Sequence, residues 1–113
     1  MIIIWAKLVL IYTLGFQNTN LLHSHHQKHG ADFGAIGLDE YETLADAFLG
    51  GPRVAACFEC VRSNGDFVRY NPMTDEFGVI SNTRIIKTYY KPQPSDRIKY
   101  PTNTVYFREQ CRK

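Results

Sequence analysis

Cysteine is scarce in this chain, three in 113 residues, and three cannot all pair within one chain. So low a count excludes a disulfide-built scaffold, and the expectation for Cys57, Cys60 and Cys111 is reduced, buried thiols. Internal repeats and low-complexity tracts are also lacking, which removes solenoid-type architectures. No apolar run approaches the ~20 residues that cross a bilayer, so no membrane anchor is expected. The opening Met1 to Gly15 is apolar but interrupted by Lys7. It has no cationic segment before it and no small residues after it for cleavage, which argues against a secretory signal. Residues 1–20 are expected to form a buried strand or helix, or a loosely attached extension. The net charge of +2 is too small to argue for nucleic acid by itself.

What is present is unevenly spread. At 113 residues the chain is expected to form one domain with a single core, over residues 21–113. From Asp32 to Pro52 there are acids and no bases. From Ser81 onward Arg84, Lys87, Lys91, Arg97, Lys99, Arg108, Arg112 and Lys113 face only Asp96 and Glu109. The last third is therefore basic, as a phosphate-bearing ligand favours. An ordinary solvated face is the competing reading, because Lys and Arg are usually exposed.

The pattern reads as helices followed by strands. Gln17-Asn18-Thr19-Asn20 supplies a cap for a helix over Leu21 to His29, which Gly30, Gly34 and Gly37 end. Asp39 with Glu42 resembles a capping box for a second helix. Tyr41, Leu44, Ala45 and Phe48 mark its inner face, the acids mark its outer one, and Gly50-Gly51-Pro52 stops it. From Arg53 the chain turns to short β-type runs: Val54–Arg62, Asp66–Tyr70, Glu76–Ile80 and Arg84–Tyr90, separated by Ser63-Asn64-Gly65, Asn71 to Asp75 and Ser81-Asn82-Thr83. Successive hairpins imply an antiparallel meander, and after Pro92 and Pro94 the tail reads as a loop with one terminal helical turn. The fold class is α+β, N-terminal helices packed on a sheet of roughly four strands.

The most distinctive stretch is His25-His26-Gln27-Lys28-His29, three imidazoles and an ammonium together. On a helix His25 and His29 lie one turn apart with Lys28 beside them. Imidazoles suit proton transfer near neutrality, and a cation suits charge building on phosphate oxygens, so the set fits metal-free cleavage of RNA. A packed or surface histidine is the plainer reading of each. In the fourth strand Arg84, Ile86, Thr88 and Tyr90 share one parity and are expected on one face. Tyr89, Tyr90, Tyr100 and Tyr106 offer stacking surfaces or core filler. A zinc set of Cys57, Cys60, His25 and His29 is disfavoured because residues three apart on a strand point to opposite faces.

These residues carry a resemblance. Lys28-His29-Gly30-Ala31-Asp32-Phe33-Gly34 is similar to the Lys-His-Ala-x-Asp-Phe-Gly segment of colicin D-like nuclease domains. Tyr70-Asn71-Pro72-Met73-Thr74, Phe77 to Ile80 and Thr88-Tyr89-Tyr90 resemble their later strands. The likeness covers His25 to Pro92 and extends to toxin domains of the barnase–EndoU–colicin type. Glycine stands here at position 30 for alanine, tyrosine for tryptophan and threonine for serine. The resemblance implies a metal-independent endoribonuclease toxin that needs no cofactor and cuts tRNA in the cytoplasm of a host or target cell. It also implies an acidic immunity protein as partner. His29 would be the general acid/base, Lys28 a phosphate ligand and Thr88 a hydrogen-bond donor to the scissile group. His25 joins them on geometric grounds, and Arg84, Tyr90, Lys91 and Tyr70 are the candidate substrate contacts. The alternatives are a nucleic-acid-binding module without catalysis and an interaction domain of a mobile element.

Overall fold

The computed structural model describes residues 10–34 and 36–113. Two helices come first, α1 (Thr19–His29) and α2 (Leu38–Gly50), joined through a short 3₁₀ turn over Gly30–Phe33. Four strands follow, β1 (Phe58–Val61), β2 (Phe67–Asn71), β3 (Glu76–Ile80) and β4 (Ile86–Tyr90), and the chain closes with α3 (Asn103–Gln110). The sheet order is β1-β2-β3-β4, every neighbour antiparallel. The fold is α+β, with N-terminal helices on a four-stranded meander.

Asn18 caps α1, its side chain accepting from the Leu21 N–H at 2.9 Å. Helix α2 starts two residues earlier than the Asp39 cap implies, with Gly37 at its N-cap. Its acids are not all on the outer face. Asp46 is 2% exposed and accepts from the backbone N–H groups of Ile11, Tyr12 and Thr13 and from the Thr13 hydroxyl. Glu42 accepts from the Phe16 N–H. Both carboxylates thus satisfy backbone donors of a segment that has no helix or long strand of its own. Residues 14–16 then run parallel to the start of β4, with Leu14 donating to Arg84 and Ile86 to Gly15. Of the apolar opening, residues 1–9 lie outside the described residues.

Strand alternation divides the apolar side chains into two cores. On one face Phe16, Leu22, Tyr41, Ala45, Leu49, Ile80, Ile86 and Tyr89 pack together beneath α1 and α2. Gly78 belongs to this face, where an added Cβ would lie 2.9 Å from Leu49, so glycine lets α2 settle on β3. On the other face Val68, Tyr70, Phe77 and Val79 are covered by Phe107 of α3. The tail is therefore a helical layer rather than a loop with one terminal turn. Thr102 caps it, accepting from the Val105 N–H.

Two further expectations change. Cys60 and Cys111 form a disulfide that ties β1 to the end of α3, and Cys57 alone is a free, buried thiol. Cys57 and Cys60 do lie on opposite sides of the sheet, Cys57 toward α2 and Cys60 toward α3. The second change is a register shift in the β3–β4 pairing. Val79 faces Thr88 while the next residue, Ile80, faces Ile86, so Lys87 is the extra residue of a bulge. The shift reverses parity: Ile86 joins Tyr89 under α1 and α2, whereas Thr88 and Tyr90 turn toward α3. Arg84, Ile86, Thr88 and Tyr90 accordingly do not share one face.

Candidate active site

His29 ends α1 and is brought by that helix to the end of β4. Its ring stacks on Tyr90 at 4.9 Å between centroids and 25° between planes. The pair opens onto a cleft of about 460 Å³ lined by Lys28, His29, Asp32, Tyr90, Lys91, Gln93, Pro94 and Tyr106. Helix α1, the 3₁₀ turn, β4 with the chain just beyond it, and α3 each contribute, so the cleft lies where the two helical layers meet at one edge of the sheet.

Behind His29 stands His25, one turn earlier, with ring centroids 5.9 Å apart; Phe16 closes its other side at 5.1 Å. Burial lowers the His25 pKa, and the neighbouring His29 and Lys28 lower it further. Its Nδ1 is buried without a hydrogen-bond partner among the described residues. His25 does not line the cleft; it supports the His29 ring from behind. For His29 burial also lowers the pKa, Asp32 opposes the fall and Lys28 adds to it. An imidazole whose pKa is lowered, lining one cleft with Lys28 and Lys91, has the chemistry to act as a base next to an anionic group. Lys91 also lies over the Phe33 ring, 5.5 Å from its centroid, which holds its long side chain at the cleft wall.

Hydroxyl groups come from Tyr90 and Tyr106, which hydrogen-bond each other. Burial and this bond raise the pKa of Tyr90, so it stays protonated. The third imidazole, His26, is structural: its Nε2 donates to the Ile36 carbonyl at 2.6 Å, and its ring packs against Gly30. A Cβ at position 30 would meet that ring at 2.8 Å, which explains glycine there.

The sequence candidates divide clearly. His29, Lys28, Tyr90 and Lys91 line one cleft, with His25 directly behind. Thr88 is two residues before Tyr90 on the same strand face, about 6.7 Å back along the chain, and does not line the cleft. Arg84 does not belong to the site. It sits before β4 in a turn with φ of 70°, at the opposite end of the strand, and donates to the Tyr12 carbonyl. Tyr70 is also elsewhere, 3% exposed, its ring stacked with Phe107 and its hydroxyl on Asp75. Tyr89 is wholly buried and serves the core, donating to Glu76. The zinc set has lost a ligand, because the Cys60 sulfur is bonded to Cys111.

Gln93, Pro94 and the placement of Tyr106 were not anticipated. The signal for Tyr106 was the Thr102 cap ahead of a run without breakers, which marks a helix start. Asp32 appears in the resembling segment, yet only the structure places it in the cleft lining. No protein-family model matches this chain, and no curated protein matches it significantly in sequence.

Proposed function

We propose that the protein is a metal-independent endoribonuclease in which His29 takes the proton from a ribose 2′-hydroxyl. The observation that carries the reading is the His29 ring, depressed in pKa and stacked on Tyr90, at a cleft with two lysines. The 2′-oxygen attacks phosphorus, the bond to the 5′-oxygen breaks, and the products carry a 2′,3′-cyclic phosphate and a 5′-hydroxyl. Lys28 and Lys91 hold the phosphate oxygens as charge builds on them. The hydrogen-bonded hydroxyls of Tyr90 and Tyr106 give the leaving 5′-oxygen its proton, a task that the resemblance would give in part to Thr88, and the proton gained by His29 returns to the pair through solvent. His25 is a positioning residue for His29.

The resemblance to colicin D-like toxins makes tRNA the substrate class of choice and an acidic immunity protein the partner. Such a partner would cover the lysine-bearing cleft mouth, with affinity that falls as salt rises. Cytoplasm of a host or target cell is the place of action, and the Cys60–Cys111 bond suits a protein that also meets an oxidising compartment.

Incubating the purified protein with total tRNA in EDTA tests the reading. Expected are discrete cuts with cyclic phosphate ends, and a loss of roughly 100-fold or more in His29→Ala, the scale of a general acid–base contribution. His29→Ala should still retain RNA on a filter. A wild-type protein that holds RNA without cutting it is a binding module, and the nuclease assignment then fails.

A further inference from the structure

The chain between β4 and α3 is an ordered arm. Asp96 Oδ1 accepts from the N–H groups of Ile98 and Lys99 at 3.1 and 2.9 Å, and the Tyr100 N–H donates to the Asp96 carbonyl. Arg97 Nη1 donates to the Tyr100 carbonyl and to Asn103 Oδ1. Asn103 Nδ2 in turn reaches the Asp75 carboxylate at 2.9 and 3.0 Å and the Pro92 carbonyl at 3.1 Å. The arm is thus closed on itself and fastened to the β2–β3 turn. Its tip displays Arg97, Ile98 and Lys99 to solvent, Ile98 at 96% exposure.

One ring links this arm to the cleft. Tyr106 lines the cleft and bonds Tyr90 through its hydroxyl, while its ring meets Tyr100 edge to face at 5.4 Å. Lys99 Nζ lies over the Tyr100 ring, 5.2 Å from its centroid. His29, Tyr90, Tyr106 and Tyr100 therefore form a row of aromatic rings, with Lys28 and Lys91 at one end and Lys99 and Arg97 at the other. Cations along a row of rings are what an unpaired nucleic-acid strand uses: bases stack on the rings while phosphates meet the charges. An acidic protein surface would need the cations but not the rings.

The geometry points to a further nucleotide position at Tyr100 and Lys99, which takes the base and phosphate next beyond the two nucleosides that flank the phosphate held in the His29 cleft. Its ligand is an unpaired RNA segment longer than two nucleotides. The inference deepens the nuclease reading and rests on it for the identity of the ligand. Ordering of the arm before binding means that little loop entropy is lost when the strand arrives.

Binding to the His29→Ala protein separates the subsite from catalysis. The probes are a fluorescent, unstructured RNA octamer, read by anisotropy, and a dinucleoside monophosphate, read by chemical-shift titration. Tyr100→Ala is expected to weaken the octamer about ten-fold, the range for loss of one stacking ring, and to shift the dinucleotide less than two-fold. Tyr100→Phe, which keeps the ring, should restore octamer affinity. Lys99→Ala, an exposed truncation that leaves the arm's hydrogen bonds intact, should weaken the octamer and make its salt dependence shallower, by about 0.7 in the slope of log affinity against log salt, since one phosphate contact is lost. Octamer affinity unchanged in both alanine variants overturns the inference, as does an equal loss for octamer and dinucleotide. A wild-type protein that shows this length dependence yet cuts no RNA keeps the subsite and overturns the nuclease, whereas one that binds no RNA overturns both.

Discussion

Opening the Cys60–Cys111 bond tests how the second helical layer is held. The bond spans 51 positions of sequence. In the chain-entropy treatment, closing a loop of that length removes about 14 cal/mol/K from the unfolded chain, or about 4 kcal/mol at 25 °C. A small domain has a total stability of roughly 5–15 kcal/mol, so this one link is a large share of it. Helix α3 has eight residues and is too short to persist without tertiary support. Its last turn is fixed by Phe107, by Arg62 donating to the Gln110 carbonyl at 2.8 Å, and by Cys111. The assay is urea unfolding by circular dichroism of three samples: oxidised protein, reduced protein, and the double variant Cys60→Ala/Cys111→Ala. Reduction and double substitution should agree, each losing about 2–4 kcal/mol, with a larger m-value because the freed unfolded chain exposes more surface. Cleavage well below the unfolding midpoint should fall less than ten-fold. Tyr106 is held from the other end of α3, by the Thr102 cap and Asn103, and by its contacts with Phe77 and Tyr90. A loss below about 1 kcal/mol in both samples would refute the premise that the unfolded chain is constrained chiefly by this link.

The pH profile and the Asp46 latch give two further checks. Burial holds His29 below its ordinary value of 6.5, so the acid limb of kcat/KM should fall below that pH, measured with RNA in EDTA. Because the folded His29 and His25 bind protons less readily than the unfolded chain, stability should be full above pH 6.5 and decline as pH drops toward their folded values; a limb at or above 6.5 contradicts the assignment. For Asp46, burial alone would raise the pKa, but hydrogen bonds from the Thr13 hydroxyl and the Ile11, Tyr12 and Thr13 amides outweigh it and leave the carboxyl below its usual value. Its stabilisation is therefore present above about pH 4 and lost as pH falls through the lower folded value. Asp46→Ala should cost about 3 kcal/mol in urea unfolding at pH 7, since it strands buried donors, and a cost under 1 kcal/mol would show that residues 11–13 are not held this way.

The elements read best from sequence are those whose signal is local. Asn18 and the glycines after His29 bound α1, and Glu76 to Ile80 is β3 to the residue, because caps, breakers and alternation act within a few positions. The place of Lys28 and His29 in the last turn of α1 was legible for the same reason. Longer-range facts left no local trace. An odd cysteine count does not say which two meet, and Cys60 finds Cys111 only because α3 folds back across β1. Asp46 reads as an outer-face acid until the Ile11–Thr13 amides are placed against it. Helix α3 hid for a different reason: NTVYFREQ shows no clear apolar stripe, and its inward side chains are Tyr106, Phe107 and Gln110 rather than a run of aliphatics.

The bulge at Lys87 connects these missed features to the site. Strict alternation back from Tyr90 would put Ile86 with it on the α3 side and leave the α1–α2 core without one of its buried aliphatics. With one extra residue, Ile86 fills that core while Tyr90 turns to Phe77 and Tyr106. Lys87 itself is carried to Asp66, where its Nζ pairs with the buried carboxylate at 2.8 Å. That contact lowers the Asp66 pKa against the effect of burial, together with Asn64 and Arg62, and so fixes the extra residue in place. Tyr90 can then touch both layers at once, its ring against His29 of α1 and its hydroxyl on Tyr106 of α3. A strand without the bulge would have to choose between them. The cleft therefore depends on a parity change that no stretch of four or five residues encodes, and that is set by the competition between two cores for the same strand.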